Sequence, residues 1–445
     1  MFMHKSKKGF TIVELVIVIA VIAILAAVLI PTFSNLVKKA NIANDTALAK
    51  NINTALTAYK ATNAGDMEFE DVIAAARDAG YIISNLNPTT AGHYFVWEKS
   101  TNQILLVDGE NAYKVIYANN ENYASIGASW YFATSDKTAA AALKADTAIS
   151  GAQVKDMVGS AAALSEALAA GGEVYLDESV VVTPENIVKI DSAENTILNL
   201  GSSTLNTNGV IDIVPVVVQS DATIKGGVIG AAGAGVSADG KEVSIPLYTA
   251  DGTNLSMEDT KFNITTTNGY INMAGNATLD NVSIDTCYMG IGAYGHAQIT
   301  LKNSTINSTG RCFFVSNYLK QYDENGMTVL NNGSPVVLVS HAAGTAKLTI
   351  ESGTYHGDYT PDVGGALYPP VVAFSGDIVI TGGNFSSGAK NDKPVFQVMD
   401  ANGSITITGG TFNGVEFSKV TNWNSLIKDS NVSVSADGKT VTISK

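Results

Sequence analysis

The chain has 445 residues, of which 46% are hydrophobic and only 15% charged, so it is long enough for two or three domains with large buried cores. Its 27 lysines and arginines face 41 aspartates and glutamates. The resulting net charge of −14 argues against a nucleic-acid partner, because phosphate contacts need clustered cations. The 41 glycines predict many short strands joined by tight turns, and two cysteines are too few for a disulfide framework.

The first feature along the chain is an apolar run from Phe10 to Ile30, preceded by three lysines. As a helix this run is about 31 Å long, enough to cross a bilayer. The positive-inside rule then predicts a cytoplasmic N-terminus and an exported remainder. A secretory signal peptide would have a shorter apolar core and a small-residue cleavage site. A plain signal anchor fits the length, but it leaves Glu14 and Pro31 unexplained.

The segment KKGFTIVELVIVIAVIAILAAVLIP resembles the N-terminus of type IV pilins and of the pseudopilins of type II secretion systems. The shared elements are a basic leader, Gly9 before Phe10, Glu14 five residues into the mature chain, and Pro31 near the middle of the helix. The resemblance implies that a prepilin peptidase cuts between Gly9 and Phe10 and methylates the new amine. It also implies three further partners: other pilin or pseudopilin subunits, an assembly platform and, before assembly, the cytoplasmic membrane.

The resemblance gives Glu14 a role in assembly. After cleavage, Phe10 carries a cation in apolar surroundings, and Glu14 of one subunit can pair with the Phe10 amine of a neighbour. Leaving either charge alone would cost several kcal/mol, which disfavours wrong registers. Phe10, Glu14 and Pro31 are therefore the predicted assembly residues. The alternative is a glutamate tolerated at the membrane surface because it lies near the helix start.

Apolar residues continue at helical spacing to about Lys60, so one long helix is predicted over residues 10–62, after a leader of residues 1–9. The stretch MEFEDVIAAARDAGY predicts a second, short helix. Three strand-like runs follow within HYFVWEKSTNQILLVDGENAYKVIY. A long helix on a small antiparallel sheet is the pilin globular fold, predicted here for residues 63–133. An Ala-rich linker, helical or flexible, is predicted for residues 134–155.

Beyond residue 170 the chain repeats. Eight segments share one pattern, and their first residues are Leu198, Ala222, Leu255, Ala277, Ile299, Leu348, Ile378 and Ile405. Their first, third and eighth positions are apolar and should point inward, whereas the threonines at the second position should point outward. The fifth position should need left-handed turn geometry, at Gly226, Asp259, Asn281, Asn303, Gly382 and Gly409. One spacing of 49 residues predicts a long insertion or an extra coil.

A further strand precedes each repeat, so each period holds at least two strands, and a parallel β-helix is predicted for residues 156–445. The architecture resembles that of pectate-lyase-like right-handed β-helices. The stretch SAAALSEALAAGGEVYLDESVVVT resembles the helix-then-strand cap that opens them. The C-terminal VSVSADGKTVTISK predicts a closing hairpin around Asp437 and Gly438.

Some right-handed β-helices cleave polysaccharides, so catalysis is weighed against display. The fourth position of the repeats carries charges of both signs, which predicts a solvated face with cross-strand ion pairs. The best candidate catalytic group is Arg311 with Asp285 and Lys302; the histidines show no metal-ligand spacing, and no cofactor or metal is expected. We therefore predict a non-enzymatic domain for adhesion to surfaces or polysaccharide. The alternative is a membrane-anchored polysaccharide lyase or hydrolase.

Cys287 and Cys312 begin equivalent strands of consecutive coils. Stacked strands lie about 4.8 Å apart, near disulfide range, so the two could form a bridge or remain as two buried thiols.

The appended domain is bulky compared with the pilin body, which predicts a minor, tip-located subunit. The chain would be a single-pass membrane protein before assembly and part of an extracellular pilus or the cell surface afterwards. The sequence does not separate a pilus from a secretion pseudopilus.

Overall fold

The computed structural model describes residues 11–183, 186–206, 214–230, 245–264, 270–286, 289–317, 344–357, 360–361, 367–368, 371–387, 396–399, 401–413, 423–428, 430–438 and 440–444. The chain divides into two compact units. The first comprises Met1–Tyr81, Asn85–Ala133 and Ala141–Val154, and the second comprises Ile82–Ser84, Thr134–Ala140 and Lys155–Lys445. The domain boundaries given above stay a prediction.

The first unit begins with the long helix that the sequence predicts. Helix α1 spans Ile12–Thr62 and continues through Pro31. In its second half Ala49, Ile52 and Leu56 are buried, at the three- and four-residue spacing of one helical face. A second helix, α2 (Phe69–Asp78), confirms the predicted short helix.

Helix α1 packs on an antiparallel sheet of four strands: β1 (His93–Glu98), β2 (Gln103–Asp108), β3 (Lys114–Tyr117) and β4 (Trp130–Thr134). Strand β1 pairs with both β2 and β4, and β2 pairs with β3. The three predicted runs are thus strands, and β4 lies outside them. The core of this unit contains Val96, Leu105, Val107, Tyr113, Trp130, Phe132, Leu143 and Ile149. Of these, Leu143 lies on helix α3 (Lys137–Ala145), within the segment predicted as a linker.

Two buried polar side chains of α1 hold neighbouring backbone in place. Asn53 accepts a hydrogen bond from the backbone N–H of Ile104 at 2.6 Å and donates one to the carbonyl oxygen of Ile104 at 3.0 Å. Asp45 accepts from the backbone N–H groups of Thr89 at 2.7 Å and Thr90 at 3.2 Å. Each side chain satisfies backbone groups that would otherwise be buried without partners.

The second unit is mostly parallel β structure with helix α4 (Ala161–Ala170) near its start and the short α5 (Trp423–Leu426) near its end. Its strands before residue 260 are β5 (Gln153–Val158), β6 (Gly172–Leu176), β7 (Val180–Val181), β8 (Val188–Ile190), β9 (Thr196–Asn206), β10 (Val216–Val218), β11 (Ala222–Gly230), β12 (Tyr248–Thr249) and β13 (Asn254–Glu258). Its middle strands are β14 (Lys261–Ile264), β15 (Ile271–Met273), β16 (Asn276–Asp280), β17 (Ser283–Thr286), β18 (Met289–Tyr294), β19 (Gln298–Lys302), β20 (Ser304–Ser308), β21 (Arg311–Ser316) and β22 (Lys347–Ile350). Its last strands are β23 (Gly353–Gly357), β24 (Thr360–Pro361), β25 (Leu367–Tyr368), β26 (Val371–Ala373), β27 (Asp377–Ile380), β28 (Asn384–Ser387), β29 (Phe396–Val398), β30 (Ser404–Ile407), β31 (Gly410–Asn413), β32 (Asn431–Val434) and β33 (Thr440–Ser444).

Within the described residues, three series of parallel strands recur along this unit. The first series is β6, β9, β11, β13, β16, β19, β22, β27 and β30. The second is β7, β9, β11, β14, β17, β20, β23, β28 and β31, so β9 and β11 each run through both. The third is β8, β10, β12, β15, β18, β21, β26 and β29.

The register confirms the repeat alignment for seven of the eight segments. The first positions pair directly from Ala222 through to Ile405. The eighth positions pair from Leu205 through to Phe412. The alignment is wrong at its start, where Leu198 pairs with Ile224 and not with Ala222. Strands β9 and β11 contain register shifts near Gly226, so the first half of the pair is offset from the alignment and the second half agrees with it.

The long spacing in the repeat is an insertion between neighbouring strands. Strand β19 pairs directly with β22, and β20 pairs with β23, so no further coil separates them. The inserted residues 318–343 lie outside the described part of the chain. They include PVVLVS (335–340), one of the further strands predicted to precede the repeats.

Both ends of the parallel series have the caps that the sequence predicts. Helix α4 buries Leu164 and Leu168 in the core of the second unit. At the other end β33 pairs antiparallel with β31 and with β32, which forms the predicted hairpin, with Gly438 at φ +72°.

Candidate functional site

The start of α1 contains the predicted assembly residue Glu14. Thr11 is the N-cap, and its hydroxyl accepts a hydrogen bond from the Glu14 N–H at 3.3 Å. The Glu14 carboxylate in turn accepts from the Thr11 N–H at 2.9 Å and from its hydroxyl at 2.7 Å. This reciprocal capping box satisfies donors that a helix start leaves open. Gly9 and Phe10, the predicted processing residues, lie outside the described residues, so the proposed pairing of the Phe10 amine stays a prediction.

The first half of α1 carries an apolar surface that nothing in the described chain covers. Ile12 is 82% exposed, and Val37, at the far end of this surface, is 42% exposed. The other exposed large apolar residues are Val13, Leu15, Val16, Ile17, Val18, Ile19, Val21, Ile22, Ile24, Leu25, Val28, Leu29, Ile30, Phe33 and Leu36. The helix is long and apolar enough to cross a membrane.

Pro31 lies inside this surface, as the sequence predicts. Proline has no backbone N–H, so the carbonyl of Ala27 four residues earlier loses its usual helical partner. One residue further on, the Thr32 hydroxyl donates to the carbonyl oxygen of Val28 at 2.9 Å. The helix nevertheless runs on without interruption to Thr62.

The exposed fourth column of the repeats forms the predicted cross-strand ion pairs. Lys225 Nζ lies 3.4 Å from Glu258 Oε2, and Lys302 Nζ lies 3.8 Å from Glu351 Oε2. Exposed pairs of this kind contribute about 0–1 kcal/mol each. The fourth-position charges therefore lie on a face exposed to solvent and add little to stability.

The three members of the candidate catalytic group each contact other residues. Arg311 is 5% exposed, and its guanidinium carbon lies 5.6 Å from the centre of the Phe314 ring. Asp285 pairs with Lys261 at 3.3 Å, whereas Lys302 pairs with Glu351. Each member thus has a structural partner of its own.

The remaining titratable candidates are also engaged, where the structure describes them. His296 Nδ1 lies 3.2 Å from Asp251, and His356 Nδ1 lies 2.9 Å from the Ser386 hydroxyl. The Cys312 thiol donates to the carbonyl oxygen of His356 at 3.1 Å. Cys287 lies outside the described residues, so the disulfide stays a prediction. In the described ranges no three His, Cys, Asp or Glu side chains form a group that could hold a metal ion.

Sequence reasoning missed a second apolar cluster, on the other face of the third series. It contains Val217, Tyr248, Tyr270 and Tyr294, all buried, and burial raises the pKa of Tyr248 to about 12. Val216 and Val218, the neighbours of Val217, face the main core instead. The signal was the continuous apolar run VPVVVQS, since strands buried on both faces lack polar alternation.

Comparisons with known proteins show what the start of the chain resembles. Residues 4–30 match the family model described as the prokaryotic N-terminal methylation motif. The chain is 40% identical over 57 residues to the type IV major pilin protein PilE1 of Neisseria gonorrhoeae, and also to a fimbrial protein of Neisseria meningitidis serogroup B. These matches cover 13% of this chain and 34% of each relative. No solved structure matches the chain.

A longer match covers about a third of the chain. Over 150 residues the chain is 31% identical to the type IV wide pilus major component PilA4 of Thermus thermophilus. This match covers 34% of this chain but 95% of that relative. An exposed apolar helix start, a methylation motif and an almost complete pilin counterpart therefore agree, and the chain belongs to the type IV pilin family.

Proposed function

We propose that this chain is a structural subunit of a type IV pilus. Prepilin peptidase cleaves it between Gly9 and Phe10 and methylates the Phe10 amine, and α1 holds it in the cytoplasmic membrane, N-terminus inside, until assembly. The observation that carries the proposal is the apolar surface of α1 from Ile12 to Val37. Exposing apolar surface to water costs roughly 25 cal/mol per Å², so lipid covers this helix first and neighbouring subunits cover it in the fibre.

Glu14 directs this assembly. Among the described residues of the single chain, its carboxylate accepts hydrogen bonds from Thr11 at its own helix start. In the fibre it pairs with the Phe10 amine of a neighbouring subunit, because two buried charges compensate each other and one alone is costly. The assembly platform and other pilins are the partners of this step.

We also propose that the second unit is a right-handed parallel β-helix. Equivalent repeat positions pair in register in each of the three series of parallel strands. This supports a chain that winds in successive coils, each contributing one strand to each of three sheets. The right hand is the one that parallel crossovers take in about 98% of cases.

The β-helix serves display and adhesion to surfaces or polysaccharide, and has no enzymatic role. The ion pairs that engage Lys302 and Asp285, and the burial of Arg311, support display. Cleavage of a pectin- or alginate-like polymer that is lost in R311A, with an unchanged far-UV spectrum, would contradict this part of the proposal.

The processing step gives the first prediction. Fibres sheared from the native host and analysed by mass spectrometry should contain a chain that begins at methylated Phe10. The variant E14A should still be processed, because the cleavage site is intact, but it should be depleted from fibres and retained in the membrane. E14D, which keeps the carboxylate, is the matched control and should retain part of its incorporation. An intact leader, or cleavage near Ala27, would remove the pilus assignment.

A further inference from the structure

Asn431, Val432 and Ser433 form the sequence Asn-Val-Ser, an acceptor motif for N-linked glycans. The same motif type begins at several asparagines of the second unit, among them Asn281 and Asn303. The structure distinguishes Asn431 from these by its surroundings.

Strand β32 is an exposed edge. All four of its residues are exposed, with Val432 at 42% and Val434 at 43%. It pairs with β33 on one side, and among the described residues no strand pairs with its other side. The extended backbone and both faces of the motif are therefore open to solvent, which a transferase acting on the folded chain requires.

The two motifs at Asn281 and Asn303, inside the repeats, offer no such access. Asn281 Nδ2 donates to Asp259 Oδ1 at 2.6 Å, and Asn303 Nδ2 donates to Asp280 Oδ1 at 2.9 Å. Both asparagines also sit in left-handed turns, at φ +54° and +49°. Their amide nitrogens are already used within the fold.

Within the part of the chain that the structure describes, the edge also lacks the usual protection against pairing with other chains. Exposed edge strands are normally blocked by lysines, prolines, bulges or a covering element. The residues Asn431–Val434 include no charge and no proline, and two of the four are valines. A bulky, solubilising glycan at Asn431 would supply the missing cover.

We propose that Asn431 is an N-glycosylation site. The donor is a glycan linked to a polyprenyl pyrophosphate. The side-chain amide nitrogen attacks C1 of the first sugar, the N–C bond forms, and the C1–O bond to the pyrophosphate breaks. The polyprenyl pyrophosphate leaves with the electron pair, and the amide nitrogen loses one proton. The proposal rests on the proposed function in one respect, since the second unit must be exported.

The test uses the full-length chain from its native host. Trypsin releases the fragment of residues 429–439, DSNVSVSADGK, which contains a single asparagine. Mass spectrometry should find this fragment shifted by the mass of a glycan. The shift should be lost in N431Q and in S433A, and retained in S433T, which keeps the motif.

Two results would overturn the proposal: an unmodified fragment from the native host, or a shift that persists in N431Q and so places the sugar on a serine. Protease treatment of intact cells reports export separately. A chain protected from protease would contradict the proposed function and with it this site, whereas an accessible but unmodified chain would contradict glycosylation alone.

Discussion

The carboxylate of Glu98 organises the turn between β1 and β2. It accepts hydrogen bonds from the backbone N–H groups of Ser100 and Thr101, both at 3.0 Å, and from both of their hydroxyls. Burial acts to raise the pKa of Glu98, but these four bonds stabilise the charged form and hold its pKa below the ordinary value. A glutamate with a depressed pKa stabilises the fold above its unfolded pKa, near 4.3, and this contribution is lost as the pH falls through the folded pKa.

We therefore predict that E98Q costs about 1–3 kcal/mol at pH 7, because hydrogen bonds to a charged group are lost. The penalty should begin to shrink as the pH falls below the unfolded pKa, near 4.3, and should be lost as the pH falls through the depressed folded pKa, where wild-type Glu98 is protonated too. Urea unfolding of the detergent-solubilised chain, in a W423F background, follows the buried Trp97 and Trp130.

The exposed Glu121 of the same unit provides the control variant E121Q, which should leave stability within about 0.5 kcal/mol. An equal loss in E98Q at pH 7 and at pH 3 would show that packing, not the charge, is responsible. Neither Glu98 nor Asn53 stands out in the sequence. Their roles depend on which backbone groups the tertiary fold leaves unpaired, and periodicity carries no information on that.

At the scale of elements, the turns of the repeat show where pattern reasoning succeeds and where it fails. The fifth positions Gly226, Asp259, Asn281 and Asn303 do adopt positive φ, between +49° and +68°. In the last coils the positive φ lies one residue later, as at Gly383 (+102°) and Gly410 (+119°), so the prediction for Gly382 and Gly409 is wrong.

Gly382 and Gly409 are glycines for a different reason. A Cβ on Gly382 would lie 2.2 Å from the carbonyl oxygen of Glu351, and one on Gly409 would lie 2.2 Å from that of Thr381. The sequence predicts the glycine column but cannot say whether a dihedral angle or a close approach requires it.

This difference yields a prediction for the turn elements. G409A should destabilise the second unit by about 3 kcal/mol, because backbone must shift to admit the methyl group. G201A should cost only about 1 kcal/mol, since Gly201 has φ +53° but no heavy atom within 4 Å of the added Cβ. Thermal unfolding followed by circular dichroism would measure both, and equal losses would contradict the close-approach argument.

At the scale of the whole chain, two sequence patterns predicted different properties, the family and the strand pairing. The N-terminal motif is a contiguous string, so it predicted the family before any fold was known, and the matches to pilus components agree with it. The parallel series were predictable because each repeat has apolar residues at the same alternating positions. Neighbouring strands can then pair in few registers that keep all of these residues on the buried face. The second, outward cluster around Tyr248 was not, since apolar runs buried on both faces carry no alternation.

We infer a place for the subunit in the fibre from the bulk of its second unit. Pilin helices about 10 Å wide must touch along their length, so subunits in a shaft lie close together. The second unit holds about two thirds of the chain, and its third series alone has eight strands. At about 4.8 Å per strand these span about 34 Å. A stack of strands of that length on every subunit would crowd the shaft, whereas a tip position or sparse incorporation avoids the conflict.

We therefore predict a minor, tip-located subunit. Immunogold labelling with antibodies against the second unit should mark fibre ends or isolated points. Antibodies against the first unit provide the matched control, and both should label the same points. Continuous label along every fibre would identify a major pilin and would show that the shaft accommodates the second unit on each subunit.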